Sequence, residues 1–104
     1  MKQLTNNLLK INFSGVELAN VTKIEFAFSQ SISGSPLKIA EYPGNDTILI
    51  ADSVIGIEWT KKETKLFEAN KDFFLDTRIT MKDSIHQPDT QIIRLKMNPT
   101  LFEE

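Results

Sequence analysis

Apolar and polar residues alternate along the stretch Thr22-Lys23-Ile24-Glu25-Phe26-Ala27-Phe28-Ser29-Gln30. Ile24, Phe26 and Phe28 fall on one side of an extended chain, and Lys23, Glu25 and Ala27 fall on the other. A two-residue period is typical of a half-buried strand and does not fit a helix, whose period is about 3.6 residues. The same alternation returns in three later stretches, which are Val54–Trp59, Phe73–Met81 and Thr90–Met97. The chain is therefore predicted to consist mainly of strands that each bury one face.

Shorter apolar stretches predict three more strands, at Leu8–Phe13, Leu37–Tyr42 and Thr47–Ile50. About seven short strands at a spacing of roughly ten residues are typical of a β-sandwich. Thr60 and Glu63 have the spacing of a capping box, which predicts one short helical turn around residues 61–68, between strands five and six. Immunoglobulin-like sandwiches often have a helical turn at this crossover. We therefore predict an all-β, immunoglobulin-like β-sandwich in which residues 1–104 form a single domain.

Several details of this predicted sandwich can be assigned in advance. The chain has no Cys, and its one Trp lies on the fifth strand, so the Cys–Trp–Cys core of antibody domains is absent and the likeness is one of architecture. Gly56 has no side chain and predicts a bulge or a close neighbour in the fifth strand. Leu66 and Phe67 are expected to anchor the helical turn on the core. The tail, residues 98–104, is expected to be flexible.

Composition excludes several classes of function. The net charge of −2 comes from interspersed acids and bases, which does not favour nucleic-acid binding. Without Cys there are no disulfides, no thiolate nucleophile and no Cys-ligated zinc. No stretch approaches the roughly 20 apolar residues that span a membrane, and the first residues lack the apolar run of a secretion signal. We therefore expect synthesis in the cytoplasm and no membrane partner.

The residues that could support catalysis form no recognisable constellation. His86 lies in a polar segment near Ser84 and Asp89, but nothing in the sequence orients these three side chains toward one another. Outward carboxylates such as Asp46 and Asp52 have no spacing that singles out an acid–base pair or a calcium loop. We therefore predict no catalytic residue, no metal site and no cofactor.

A few outward-facing residues are candidates for a contact surface. Phe74 has the same parity as Asp76 and Arg78 on the sixth strand, and these two charges are expected to pair with residues on neighbouring strands, such as Lys96 or Glu58. An exposed Phe74, together with Tyr42, Leu101 and Phe102, would mark a partner surface. In the alternative interpretation these apolar residues cover an edge of the core. The complete set of candidate binding residues is Tyr42, Phe74, Asp76, Arg78, Leu101 and Phe102.

The order of several segments resembles small prophage-encoded, virion-associated proteins of Gram-positive bacteria. The strand in Asn20–Gln30 ends in a polar pair, and Val54–Thr60 leads into the helical turn Glu63–Phe67. The strand segment Leu75-Asp76-Thr77-Arg78-Ile79 and the tail Thr100–Glu104 are also similar to that group. The resemblance covers roughly residues 21–104 and consists of strand alternation and one capping motif.

This resemblance implies a non-enzymatic, phage-derived structural or assembly protein that acts through protein–protein contacts, in the tail or baseplate or elsewhere in the virion. Its partners would be other phage proteins, or a second copy of the chain, and it would be made in the bacterial cytoplasm before incorporation. The alternative is a β-sandwich module that binds carbohydrate or peptide, with Trp59, Tyr42 or Phe74 as a stacking platform. A small hydrolase would need a convergent polar pocket, which the sequence does not indicate.

Overall fold

A computed structural model describes residues 1–3, 5–13, 16–31, 34–82 and 92–99. Seven strands and one short helix occur in this part of the chain, and a 3₁₀ turn at Leu18–Asn20 precedes the second strand. In chain order the elements are β1 (Asn7–Asn12), β2 (Val21–Ser29), β3 (Lys38–Tyr42), β4 (Thr47–Ala51), β5 (Val54–Trp59), α1 (Lys61–Lys65), β6 (Asp72–Met81) and β7 (Ile93–Lys96).

The strands form two antiparallel sheets, with order β1-β5-β4 in one and β3-β2-β6-β7 in the other. In immunoglobulin lettering, β1 to β7 correspond to strands B, C, C′, D, E, F and G, because B pairs with E, E with D, C with F and F with G. Strand A has no counterpart among the described strands. The predicted all-β, immunoglobulin-like sandwich is confirmed.

The core is filled from both sheets by the residue sets that alternation assigned inward. Trp59 of β5 is 2% exposed, and its ring centroid lies 4.7 Å from that of Phe28 on β2 and 5.8 Å from that of Phe73 on β6. Aromatic rings therefore join the two sheets directly, in tilted or edge-on pairs that suit their quadrupoles. The other fully buried apolar residues of these strands are Ile24, Phe26, Ile55, Ile57 and Leu75.

On β7, alternation predicts that Ile93, Leu95 and Met97 face the core, and this is only partly correct. Met97, just after the strand, is buried, but Ile93 is 42% exposed. β7 is an edge strand of four residues, so its first residue has a neighbouring strand on one side and little cover above it. Alternation identifies a face of a strand, but it does not show how far the opposite sheet extends over that face.

The helical turn is present and is shorter than predicted. Thr60 Oγ1 accepts a hydrogen bond from the Glu63 N–H (3.2 Å), and Glu63 Oε1 accepts one from the Thr60 N–H (2.8 Å). This completes the predicted capping box. Phe67 is fully buried, as expected, whereas Leu66 is 56% exposed, so its predicted anchoring role is wrong. α1 ends at Lys65, and Leu66 is its C-cap residue, so a single helical turn presents too little surface to bury both side chains.

The inward face of β3 contains a buried charge that the sequence analysis did not identify. The Lys38 side chain is 1% exposed, and its Nζ lies 2.6 Å from Glu63 Oε2 and 3.3 Å from Asp46 Oδ2. The same ammonium group lies 5.2 Å from the ring centroid of Trp59. Lys38 thus links β3, the turn after it and α1 across one end of the sandwich. Because Lys38 faces inward, the next residue, Ile39, faces outward.

Gly56 has the close neighbours that its place in β5 predicted. A Cβ atom at this position would lie 2.7 Å from Ile50 Cδ1 and 2.8 Å from Leu8 Cδ1. Side chains from both flanking strands therefore meet above the glycine. Pairing continues through Gly56 without a shift, and the irregular register lies instead between Leu49 and Ala51 of β4. Of the two predicted alternatives, the close neighbour is confirmed, and β5 has no bulge at Gly56.

Candidate functional site

Three of the six candidate residues lie together on the solvent side of the four-stranded sheet. Phe74, Asp76 and Arg78 occupy alternate outward positions of β6. Tyr42 has the opposite orientation on β3 and packs, partly buried, against the core. Leu101 and Phe102 lie outside the described residues. We call the solvent side of strands β3, β2, β6 and β7 the outer sheet face.

The register of the strands arranges the outer sheet face in cross-strand rows. In one row Ala27 of β2 lies between Ile39 of β3 and Asp76 of β6. In the next row Glu25 lies between Glu41 and Arg78. Residues directly opposite each other in antiparallel strands have Cβ atoms about 4.5–5.5 Å apart, so each row is a set of touching or nearly touching side chains.

The centre of the outer sheet face is indented because Ala27 is short. Two shallow hollows adjoin there, with Ala27 and Asp76 lining both of them. The first, of about 290 Å³, is also lined by Glu25, Ile39 and Arg78. The second, of about 220 Å³, is bounded among others by Ser29, Phe74 and Ile92. We refer to the two together as the Ala27 hollow.

The walls of the Ala27 hollow combine large apolar side chains with polar and charged ones. Ile39 is 65% exposed, the largest exposed fraction among the large apolar residues that the structure describes. Ile92 is also exposed, and Phe74 is half-buried. Phe74 was predicted from its parity on β6, whereas neither isoleucine was predicted to lie here. The strand Lys38–Tyr42 contains apolar residues at both parities, so its outward face could not be chosen from alternation.

One strong ion pair borders the hollow. Arg78 donates to Glu25 from Nε (2.9 Å, to Oε1) and from one terminal nitrogen (2.8 Å, to Oε2), which is the two-point geometry of an arginine–carboxylate pair. The hydrogen bond from Arg78 lowers the pKa of Glu25, and the same bond raises the pKa of Arg78. The predicted partners Lys96 and Glu58 were wrong. Glu58 belongs to the other sheet, and Lys96 lies opposite Asp72.

Asp76 differs from its neighbours because its carboxylate has no hydrogen bond or ion pair within the described part of the chain. Its negative charge contributes to the raised pKa of Arg78, which places the two groups close together. The guanidinium is, however, bonded at two points to Glu25. The Ala27 hollow therefore combines large apolar side chains with an exposed carboxylate, Asp76, that has no hydrogen-bond partner among the described residues.

A second apolar surface lies on the solvent side of the three-stranded sheet. Leu8, Ile48 and Ile50 meet there above Gly56, and each of the three is exposed. Two exposed charged residues lie on the same surface, Glu58 opposite Leu8 and Lys10 opposite Gly56, and the three apolar side chains fill the space over the glycine. The cluster provides a matched apolar surface with which the outer sheet face can be compared.

Other kinds of site find little support among the described residues. No group of three or more His, Asp or Glu side chains is positioned there to bind a metal ion. The helices found in those residues are too short to cross a bilayer. His86, with Ser84 and Asp89, lies outside the described residues. The buried Lys38 ammonium group is bound by two carboxylates, which gives it a structural role.

Comparisons of the chain with protein-family models, with curated proteins and with solved structures find no match. The prophage resemblance therefore stays a prediction.

Proposed function

We propose that the chain is a non-enzymatic protein-binding module and that its contact surface is the outer sheet face. The observation that carries this proposal is the exposure of Ile39 and Ile92, with Phe74, around a hollow that also contains the Asp76 carboxylate. Exposed apolar groups clustered in a concave surface favour a binding site, since single exposed apolar residues are common but clusters are not. Protein interfaces typically combine such an apolar centre with a polar rim.

The resemblance to virion-associated prophage proteins supplies a class of partner. We propose that the module is made in a bacterial cytoplasm and binds other virion proteins, as a structural or assembly component of a phage particle. A rigid sheet face suits this role because little side-chain or backbone freedom is lost when it docks. Electron microscopy of particles labelled with an antibody against the chain tests this part, and particles without label would contradict it.

Carbohydrate binding is less well supported. A stacking platform needs exposed aromatic faces, but Trp59 is in the core and Tyr42 packs against it. Of the three aromatic residues considered for that role, Phe74 remains, and it is half-buried. Sugar-binding sites usually present an aromatic face to the ring of the ligand, so the outer sheet face favours a protein partner.

Co-expression with the products of the genes that flank its own tests the proposed function. Complexes are captured on the tagged chain and compared for wild type, Ile39→Ser and Ile48→Ser. Ile39 lies on the outer sheet face and Ile48 on the opposite surface, and both are exposed isoleucines on edge strands. We expect Ile39→Ser to lose the complex and Ile48→Ser to keep it. Loss with Ile48→Ser alone, or no complex with any of these products, would contradict the proposal.

A further inference from the structure

We propose that the partner of the outer sheet face presents a lysine or arginine, flanked by apolar side chains, that enters the Ala27 hollow and binds Asp76. This inference depends on the proposed function and specifies the chemistry of the partner. It is carried by the shape of the hollow, by the large apolar side chains in its walls and by the Asp76 carboxylate, which has no hydrogen-bond partner among the described residues.

The shape favours one long side chain. Ala27 is the shortest residue in its row, and the flanking Ile39 rises on one side while Phe74 and Ile92 rise on the other. Lysine and arginine have an apolar stem that can lie against such walls while the charged group remains beside a carboxylate. Phe74 offers an aromatic ring at the rim, which also attracts a cation placed over its face.

The charges favour a cation over the alternatives. A wholly apolar partner would cover Asp76 and remove its water without replacing the lost hydrogen bonds, which is costly. An acidic partner would place a second negative charge beside Asp76. A lysine or arginine replaces the water with a charge-assisted hydrogen bond, which is among the stronger polar contacts in proteins.

Glu25 is a weaker candidate for the same role. Its two carboxylate oxygens are already bound by Arg78, and Lys23 Nζ lies 3.6 Å from Oε1. A partner cation would have to displace these contacts. Arg78 itself would repel an incoming cation if it were free, but its pairing with Glu25 offsets most of that repulsion. Within the part of the chain that the structure describes, Asp76 is thus the carboxylate of the hollow that has unused hydrogen-bonding capacity.

Selection of peptides from a displayed library of random sequences tests the inference. The library is selected separately on wild type, Asp76→Asn and Asp76→Lys, and on Asp52→Asn as a control with the same change of net charge in the exposed turn between β4 and β5. We expect wild type and Asp52→Asn to select peptides with a lysine or arginine between apolar residues. These peptides should bind Asp76→Asn about tenfold more weakly, the range expected for a hydrogen bond to a charged group.

The Asp76→Lys variant, which reverses the charge in the hollow, gives the most specific expectation. Asp76→Lys should select peptides with aspartate or glutamate at the position where wild type selects a basic residue, because the same hollow then offers a cation. Asp76 is exposed, so these variants are expected to fold, and circular dichroism checks that they do.

Other outcomes separate the inference from the proposed function. Peptides that lose binding with Ile39→Ser but contain no basic residue, or bind Asp76→Asn unchanged, would overturn the inference and leave the proposed function standing. Peptides whose binding is indifferent to Ile39→Ser would count against both proposals. A selection that yields no binding peptide on wild type would overturn the inference.

Discussion

Glu63 makes one local contact, in the capping box of α1, and one long-range contact, with Lys38. Its Oε1 atom accepts from the Thr60 N–H and completes the capping box, while its Oε2 atom accepts from Lys38 Nζ. One carboxylate therefore stabilises the start of α1 and also compensates a buried ammonium group. Burial raises the pKa of Glu63, but the hydrogen bond from Lys38 and the bonds with Thr60 outweigh it, so the pKa lies below its ordinary value.

The two roles of Glu63 can be separated by substitution. Glu63→Gln keeps an oxygen for the Thr60 N–H and loses the charge, so we expect a loss of about 1–2 kcal/mol of unfolding free energy. Glu63→Ala loses the cap as well and should cost about 1 kcal/mol more. Urea denaturation at neutral pH measures both values. Equal losses for the two variants would contradict the dual role.

The lowered pKa of Glu63 also predicts a pH dependence. A carboxylate whose pKa falls on folding stabilises the native state above its unfolded pKa, and that contribution is lost as the pH falls through the folded pKa. The stability difference between wild type and Glu63→Gln should therefore shrink between neutral pH and about pH 3. A difference that stays constant over this range would show that the charge of Glu63 does not contribute.

Gly56 is a second residue whose identity is fixed by its neighbours. Gly56→Ala would place a methyl group within 3 Å of the side-chain ends of Leu8 and Ile50. These ends are flexible, so we expect a loss near the lower limit for overpacking, about 1 kcal/mol, measured by urea denaturation. The same substitution in a Leu8→Ala, Ile50→Ala background should cost less, because the obstructing methyl groups are gone. An unchanged or higher stability for Gly56→Ala alone would contradict the close packing.

At the scale of elements, the edge strands differ in their protection. A free edge invites pairing with another chain, and natural proteins commonly place charges there to prevent it. Charged residues occur on three of the four edge strands, whereas β4, Thr47–Ala51, has none and is exposed along most of its length. The charges on the other edges are Lys10 on β1, Lys38 and Glu41 on β3, and Arg94 and Lys96 on β7.

This difference predicts where the protein is prone to aggregate. Ile48→Lys adds a charge to β4, and its stem can still cover the neighbouring apolar surface. We expect the unfolding free energy to change by no more than about 1 kcal/mol, while the concentration at which light scattering rises on heating should increase. Ile39→Lys, on an edge that already carries charge, is the matched control and should raise that concentration less. Equal effects of the two substitutions would contradict the assignment of β4 as the vulnerable edge.

The elements also show what the sequence could and could not determine. The bounds of β5 match the prediction, because Val54–Trp59 alternates cleanly between turn residues. α1 was expected from its capping box but proved shorter, since a cap fixes where a helix begins and not where it ends. The sequence did not show which face of β3 is buried. Lys38 is buried there against the usual rule that charges face water, and the Glu63 carboxylate that compensates its charge is distant in sequence.

Only part of the candidate site could be predicted from the sequence. Phe74, Asp76 and Arg78 share a parity, so their common face could be inferred from the sequence. The residues opposite them on neighbouring strands could not be inferred, because alternation does not reveal which strands are adjacent. Ile39 and Ala27 reach the site only through the pairings of β2 with β3 and with β6.

At the scale of the whole molecule, two sheets enclose a core rich in aromatic residues and leave two outer surfaces. Both surfaces expose aliphatic side chains, so apolar exposure alone does not distinguish them. The four-stranded sheet has a hollow at Ala27, whereas the side chains of Leu8, Ile48 and Ile50 fill the space above Gly56 on the other sheet. The shape of the outer sheet face therefore favours it as the contact surface.

The most direct test of this assignment is amide chemical-shift mapping of the isotope-labelled protein during titration with the tightest-binding peptide from the display selection. We predict that the shifts concentrate on the outer sheet face, around Ala27, Ile39 and Asp76, and that residues around Leu8 and Ile48 stay unchanged. Shifts concentrated on β1, β5 and β4, with the outer sheet face unaffected, would contradict the account.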